Sequence, residues 1–436
     1  MDALQLLAKI KTDLKSVFFR NMLVLMSGTA FAQIITVSFA PVLSRIYDPD
    51  AFGVFGVYLS YASIVGTVAT LQYEQALMLP KSVEDAVNLL GLSTLCVLAT
   101  TILAALVCIP FGVQISAWTK APELGRWMWL LPISIFFSGI YQTLNSWSTR
   151  RKQFHRASIS QVVRSVMASG AQTTAGIGKA GPIGLIGGWI AGDVCATCAL
   201  AAQVLKDDSR LITQSLDVGR MKHFAKEYAD FPLYGGTRGL LNSLSQSIPL
   251  ILLTYYFGAV VAGLYFMSMR ILQLPMNLVL ISLRQVFFQK ASEVYNTGGD
   301  TYALFKKVTL GLMSMAIGPA LIIVFFAPPL FSFVLGAKWY VAGEYARWLV
   351  MWVALTFFNV PAVIFGQVYR KQRNLLLQEV ALLICRAGAL VIGGLYLDAI
   401  HTVILYSIVG VVFNIYIVLW MWRLLRYQAD LCRAGI

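Results

Sequence analysis

Long runs of apolar residues, separated by short polar segments, fill most of the chain. A helix of ~20 apolar residues crosses the ~30 Å hydrocarbon core of a membrane. The runs are continuous and do not alternate with period two, which argues against a transmembrane β-barrel. The pattern therefore predicts an all-α integral membrane protein with about twelve transmembrane helices. The predicted spans are residues 19–43, 53–78, 86–111, 127–148, 157–177, 182–204, 232–257, 260–288, 307–327, 345–367, 375–397 and 401–422.

The longest polar segment separates the first six predicted spans from the last six. We expect an N-terminal six-helix bundle at residues 1–204, a cytoplasmic linker at 205–231 and a C-terminal six-helix bundle at 232–436. Residues 43–55 can be laid over residues 253–265, a faint sign of an internal repeat. Two six-helix bundles with matched topology are typical of transporters that rock around a central cavity.

Charge is sparse and unevenly distributed. Charged residues make up 12% of the chain, whereas soluble domains contain ~25%. The net charge of +14 does not indicate nucleic-acid binding, because the basic residues are scattered in short clusters between the spans. If the N-terminus lies in the cytoplasm, 23 of the 34 Lys and Arg residues lie in cytoplasmic segments and six on the opposite side. The positive-inside rule therefore predicts that both termini are cytoplasmic.

The N-terminal region resembles a secretory signal peptide at first sight. Basic residues precede an apolar run, and residues 30–32 resemble a cleavage site. The apolar run continues to residue 43, well past that site. We therefore expect an uncleaved first transmembrane helix.

Five arginines lie four or more residues inside predicted spans. A charge at the centre of a membrane helix costs at least ~2.5–3.5 kcal/mol and usually faces a partner or a water-filled cavity. Arg270 and Arg386 are deepest, roughly 15 Å into their spans at 1.5 Å per residue. Arg164 and Arg238 are shallower, and Arg284 is close enough to the cytoplasm for its side chain to reach water. All five are candidate substrate-binding residues, with pairing or snorkelling as the alternative.

Two acidic residues are also predicted at depth. Asp193 lies in span six, and Glu379 lies in span eleven, seven residues before Arg386 and on the same helix face. Such an acid either neutralises an arginine or binds a coupling ion, so Glu379 and Asp193 are candidate ion-coupling residues. Glu74, at the end of span two, is read as an ordinary interfacial charge. Because deep arginines outnumber deep acids, the sequence favours an anionic substrate.

Small residues and prolines predict local features of three spans. Gly184, Gly188 and Gly192 recur every four residues, a spacing that lets two membrane helices approach closely. Pro275 and Pro361 predict breaks in spans eight and ten.

Signatures of soluble enzymes are missing from the sequence. It contains no phosphate-binding loop of the Walker type, no H-E-x-x-H and no G-x-S-x-G. The three histidines fall in or near predicted loops. We therefore expect a protein that is not an enzyme and has no catalytic residues, metal site or cofactor.

Three strings carry a family resemblance. Residues 43–55 read LSRIYDPDAFGVF, residues 73–81 read YEQALMLPK, and residues 147–154 read WSTRRKQF. They resemble the O-antigen flippases, the oligosaccharide flippases of bacterial surface-polysaccharide assembly. That family belongs to a superfamily with the multidrug/toxin extruders and the lipid II flippase.

The resemblance implies a function. It implies that undecaprenyl-diphosphate-linked oligosaccharide repeat units are translocated across the bacterial cytoplasmic (inner) membrane for O-antigen or other surface-polysaccharide assembly. It implies membrane lipids and other polysaccharide-assembly membrane proteins as further partners, and no nucleic acid. Guanidinium groups fit this substrate because they bind phosphate oxygens through two parallel hydrogen bonds. Two alternatives stay open: a multidrug/toxin-type exporter of small molecules, and a polytopic glycan polymerase or ligase.

Overall fold

The structure, a computed structural model, describes residues 27–433, apart from the side chains of residues 275, 277–279, 281–282, 285–286 and 431–433. Within this range the chain is almost entirely helical and contains no strand. The predicted start of span one at residue 19, with the basic segment before it, lies outside the described residues. The expectation of an uncleaved N-terminus therefore stays a prediction.

The first nine helices are α1 (Ser27–Ile46), α2 (Pro49–Thr67), α3 (Tyr73–Ala76), α4 (Val83–Trp118), α5 (Pro122–Gly125), α6 (Leu131–Arg150), α7 (Phe154–Ile177), α8 (Pro182–Ser215) and α9 (Val218–Glu227). A π-helical turn, Phe231–Gly236, precedes the others. These are α10 (Thr237–Phe257), α11 (Ala259–Asn296), α12 (Thr301–Leu335), α13 (Tyr340–Phe358), α14 (Val360–Val368), α15 (Gln372–Tyr396) and α16 (Ala399–Arg433).

Within the described residues, each predicted span other than spans two and ten falls mostly within one long helix, and span ten coincides with α13 and α14 together. Seven helical segments of the described chain are long and apolar enough by themselves to cross a membrane. Others, such as α7, contain many Ser, Thr and Gly residues, which lower their hydropathy. Span two is shorter than predicted, because α2 ends at Thr67 and an irregular turn leads into α3.

Local chemistry fixes several helix ends. Ser82 caps α4 by accepting a hydrogen bond from the Asp85 N–H at 3.1 Å, and Asp300 caps α12 in the same way. Asp398 precedes α16 and accepts a hydrogen bond from the His401 backbone N–H, which holds the pKa of its carboxyl below the usual value.

The break predicted at Pro361 is confirmed, since α13 ends two residues before α14 begins. The break predicted at Pro275 is wrong, because the backbone of α11 stays helical through residue 275.

The described chain forms two compact units. The first contains residues 27–47 and 54–247, and the second contains residues 48–53 and 248–433. The start of α2 therefore belongs to the second unit, and the first half of α10 belongs to the first. The bundle limits expected from the polar linker, residues 204 and 232, stay predictions.

The small-residue stripe of α8 packs directly against α7, as the spacing predicts. A Cβ atom on Gly188 would lie 2.6 Å from the backbone nitrogen of Gln172, and one on Gly192 would lie 2.8 Å from the carbonyl oxygen of Arg164. Both contacts are shorter than real Cβ atoms make, so only glycine permits this approach.

Two further glycines make a reciprocal contact in the second unit. A Cβ on Gly53 would lie 1.9 Å from the carbonyl oxygen of Ala259, and a Cβ on Gly263 would lie 1.7 Å from that of Pro49. Gly53 lies four residues after Pro49 in α2, and Gly263 lies four residues after Ala259 in α11. Each helix therefore presents a carbonyl group and, one turn later, a glycine to the other helix. This is the contact expected between two copies of one repeated element, and it falls within the strings at residues 43–55 and 253–265.

Charged residues of the WSTRRKQF string form structural contacts in the first unit. The Arg150 guanidinium donates hydrogen bonds to the carbonyl oxygens of Leu77, Pro80 and Ser82 at 2.7–2.8 Å. It thereby holds the turn that connects α3 to α4. This arginine of the string therefore has a structural role in the first unit.

A buried ion cluster joins α6, α7 and α8. Arg156, whose side chain is 6% exposed, contacts Asp208 at 3.0 Å and Asp207 at 2.7 Å. The Trp147 indole N–H also donates to Asp208 at 3.1 Å, and Arg151 lies 3.3 Å from it. Buried charges are tolerated when they are paired and hydrogen-bonded in this way.

Candidate functional site

The candidate arginines differ sharply in what surrounds them. Arg386 lies in α15, about 15 Å from its C-terminal end at 1.5 Å per residue. Its guanidinium carbon is 4.1 Å from the centre of the Trp352 ring and 4.7 Å from the centre of the Tyr406 ring. Both distances are within the range of cation–π attraction, which stabilises the charge without neutralising it.

The Arg386 guanidinium has hydrogen-bonding capacity left over. Its Nε and Nη2 atoms are buried and have no hydrogen-bond partner among the described residues, and no acidic residue there forms an ion pair with it. Gly410 allows the guanidinium to lie here, since a Cβ on that residue would be 2.5 Å from Nη2. The group therefore carries a full charge and free donors in an aromatic setting.

The aromatic residues around Arg386 hold one another in place. Trp352 and Tyr406 meet edge to face with ring centres 6.1 Å apart, and Tyr406 meets Tyr265 of α11 in the same way at 6.2 Å. All three are buried. The aromatic cage, which we define as Trp352, Tyr406 and Tyr265, links α11, α13 and α16 in the second unit, and Arg386 adds α15 to the contact.

Arg270 lies five residues after Tyr265 on α11, roughly 16 Å from the start of the helix. Its side chain is half-buried, and within the described residues it makes no ion pair or hydrogen bond. Arg270 and Arg386 thus both lie in the second unit, and neither has an anionic partner in the described part of the chain.

Arg164 has a fixed partner. It forms an ion pair with Asp193 of α8, whose carboxylate is 1% exposed, and its guanidinium carbon lies 5.3 Å from the centre of the Tyr141 ring. The alternative of interhelical pairing therefore holds for Arg164. Its charge neutralises Asp193, one of the two candidate ion-coupling residues.

The remaining candidates are exposed. Arg238 lies near the start of α10 and Arg284 in the second half of α11. Glu379 is also exposed, and the ion pairs of the described chain do not connect it to Arg386 two turns later. The polar network considered for Glu379 and Arg386 is not formed in this structure.

The first unit contains a cavity with both polar and apolar walls that sequence reasoning missed. Its volume is about 520 Å³, and residues of α2, α3, α6 and α8 line it. Glu74 lies in its wall and is 6% exposed, so it is not the interfacial charge that its position in the sequence indicated. Nothing in the sequence places Glu74 beside Gln142 and Trp189, because these residues come together only through helix packing. The aromatic cage was missed for a similar reason, since Trp and Tyr in apolar spans look like ordinary core.

The described residues contain no group of three or more His, Cys, Asp or Glu side chains able to hold a metal ion.

Comparison with solved structures places the fold. The chain is similar to the lipid II flippase MurJ in an inward closed conformation, with a TM-score of 0.72 and 13% identity over 91% of this chain and 86% of that one. It is similar to an inward-facing multidrug resistance transporter of the MATE family in the MOP superfamily, with a TM-score of 0.65 and 16% identity over 93% and 96%. A MOP-superfamily transporter from Pyrococcus furiosus, described as having a binding pocket of reverse polarity, matches with a TM-score of 0.51 and 16% identity over 94% and 96%. These likenesses confirm the predicted all-α membrane fold of about twelve helices in two bundles.

Sequence comparison gives the family. No curated protein sequence matches the chain significantly. The family of polysaccharide biosynthesis proteins matches residues 42–344, which is more than half of the chain and includes all three strings noted above. The chain is therefore a multi-pass membrane protein that belongs to the polysaccharide biosynthesis protein family, with the fold of MOP-superfamily transporters.

Proposed function

We propose that this protein is a flippase for undecaprenyl-diphosphate-linked oligosaccharide repeat units. It would turn these lipids from the inner to the outer leaflet of the bacterial cytoplasmic membrane, for O-antigen or a related surface polysaccharide. The observation that carries the proposal is the pair of cations in the second unit, Arg270 and Arg386, which lack an anionic partner in the described chain.

The chemistry of the diphosphate headgroup supports a role for Arg270 and Arg386 in binding it. A diphosphate cannot enter hydrocarbon with its charge uncompensated, since an unpaired buried charge is very costly. A guanidinium supplies a permanent positive charge and a planar set of donors that match phosphate oxygens. The free Nε and Nη2 donors of Arg386 meet this need directly. Arg238 and Arg284, both exposed, are secondary contacts in the proposal, and Arg164 acts mainly through Asp193.

The remaining features follow from the same proposal. Both termini are cytoplasmic, and the bundles at residues 1–204 and 232–436 change conformation during the cycle while the linker at 205–231 connects them. Glu379 is the candidate ion-coupling residue, because it is exposed and has no ion pair within the described chain. Asp193 is a weaker candidate, since Arg164 already neutralises it.

Complementation of a deletion strain tests the proposal. Arg270→Ala and Arg386→Ala are expected to abolish surface glycan at normal protein levels, and Lys at either position is expected to restore part of it by supplying a point charge. Exposed Arg373, which lies in the first turn of α15, provides the matched control as Arg373→Ala. Wild-type surface glycan in the Arg270→Ala/Arg386→Ala double variant would remove both residues from the mechanism.

Two readouts from the deletion strain separate the alternatives. A polymerase defect leaves single repeat units at the surface, whereas a flippase defect leaves none. An exporter defect raises drug susceptibility and leaves the glycan intact. Loss of all surface glycan with unchanged drug susceptibility is the result that the proposal predicts.

A further inference from the structure

The cavity in the first unit has a composition unlike that of an anion site. No Lys or Arg lines it. Its polar walls consist of side-chain amides, hydroxyls and one carboxylate, among them Gln72, Gln75, Gln142, Ser138 and Glu74. Amides offer both donors and acceptors, and a carboxylate offers acceptors only. The cavity therefore suits a neutral ligand with many hydroxyl groups and is unsuited to a diphosphate.

Glu74 points to a ligand that donates hydrogen bonds. Its Oε2 atom is buried and has no hydrogen-bond partner among the described residues, and no described cation forms an ion pair with it. A buried acceptor left unsatisfied costs roughly 1–3 kcal/mol, and more when it is charged. The Gln72 side-chain amide donates a hydrogen bond to the Thr67 carbonyl oxygen, and the Gln75 side-chain amide donates one to Gln72 Oε1. A hydroxyl group of a ligand in the cavity would satisfy Oε2.

Trp189 adds an apolar aromatic surface to these polar walls. It lines the cavity from α8 and is half-buried. Its ring meets the buried Tyr58 ring edge to face, with centres 6.3 Å apart and planes at 78°, which fixes its orientation. A sugar ring has an apolar face of C–H groups and a rim of hydroxyls. An aromatic surface beside convergent amide and carboxylate groups matches both parts of such a ring.

We propose that this cavity is a glycan subsite, which binds sugar residues of the lipid-linked substrate while the second unit holds the diphosphate. The inference rests on the proposed function and assigns its substrate a second point of recognition. The volume of about 520 Å³ falls within the ~300–1,000 Å³ typical of small-molecule sites. Glu74 accepts from sugar hydroxyls, Gln142 and Ser138 complete the hydrogen bonding, and Trp189 contacts the apolar face.

Binding of two lipids to the full-length protein in nanodiscs tests the subsite. One probe is undecaprenyl diphosphate without sugar, and the other is the undecaprenyl-diphosphate-linked repeat unit isolated from the cells that make this protein. Glu74→Gln and Trp189→Leu are each expected to weaken binding of the glycan-linked lipid about tenfold, the effect of losing one hydrogen bond to a charged group or a comparable contact. Neither variant should change binding of undecaprenyl diphosphate. Glu123→Gln and Trp118→Leu, at exposed positions, are the matched controls and should leave both affinities unchanged.

The two lipids distinguish failure of the subsite from failure of the proposed function. The subsite is overturned if the variants weaken both lipids equally, if they weaken neither, or if the wild-type protein binds the two lipids equally well. In those cases Arg270→Ala and Arg386→Ala would still weaken both lipids, and the flippase proposal would stand. If the wild-type protein binds neither lipid, the proposed function itself fails and the subsite fails with it.

Discussion

At the scale of single residues, the membrane arginines fall into two groups that differ in their partners. Arg164 is neutralised by Asp193, whereas Arg386 is stabilised by the rings of Trp352 and Tyr406 and keeps free donors. Cation–π contacts of this kind contribute roughly 0.5–2 kcal/mol. They stabilise the guanidinium but supply no negative charge to pair with it. Arg386 is therefore available to an anionic ligand in a way that Arg164 is not.

The ion pair of Arg164 and Asp193 gives the first prediction. Arg164→Met should leave the buried Asp193 carboxylate unpaired and destabilise the protein by about 3–5 kcal/mol. The Arg164→Met/Asp193→Leu double variant removes both charges and should recover most of that loss, with surface glycan restored. Thermal unfolding in detergent and surface-glycan analysis measure the two effects. A stable double variant that makes no surface glycan would show that Arg164 or Asp193 takes part in transport itself and that the pair is not merely structural.

The ion cluster around Arg156 gives the second prediction. Asp208→Asn removes the buried partner of an Arg156 side chain that is 6% exposed, so we expect a loss of about 3 kcal/mol. Asp207→Asn is the matched control, because the Asp207 carboxylate is 53% exposed and its pair should contribute less than about 1 kcal/mol. Unfolding midpoints of the two variants in the same detergent compare these values. Equal losses would contradict a buried cluster centred on Asp208.

At the scale of helices, close packing depends on a few positions that carry no side chain. The stripe on α8 and the reciprocal contact of Gly53 and Gly263 both bring backbones nearer than a methyl group would allow. Between membrane helices such packing replaces the hydrophobic effect, which does not distinguish lipid from apolar side chains.

Adjacent glycines in α8 provide the third prediction. Gly188→Ala places a methyl group 2.6 Å from the Gln172 backbone nitrogen, so α7 and α8 must separate and the yield of folded protein should fall several-fold. Gly187→Ala meets nothing within 4 Å and should be neutral or stabilising by up to ~1 kcal/mol, because alanine favours the helix. Size-exclusion profiles of the two variants show the difference. Similar profiles would mean that α7 and α8 do not pack through this stripe.

The helices themselves were predictable, whereas the surroundings of their polar residues were not. Continuous apolar runs gave the spans, and the four-residue glycine spacing gave the face of α8 that meets α7. The cage around Arg386 and the cavity beside Glu74 each combine residues far apart in sequence. Pro275 was misread because a proline in a membrane helix can be accommodated without interrupting it.

At the scale of the whole molecule, the two parts of the proposed substrate are assigned to different units. The diphosphate is assigned to Arg270 and Arg386 in the second unit, and the sugars are assigned to the cavity in the first. The proposed assignment of the sugars is consistent with the family to which the chain belongs, the polysaccharide biosynthesis proteins. A multidrug/toxin-type exporter would need no diphosphate contact.

The most direct test is translocation by the purified protein. Proteoliposomes are loaded with the undecaprenyl-diphosphate-linked repeat unit in one leaflet, and an impermeant glycosidase reports its arrival in the other. We expect translocation by the wild-type protein and by Arg373→Ala. For Arg270→Ala and Arg386→Ala we expect a rate at least about tenfold lower, the effect of removing one charge-assisted contact. Absence of translocation by correctly folded wild-type protein, or a wild-type rate in the Arg270→Ala/Arg386→Ala double variant, is the contrary result.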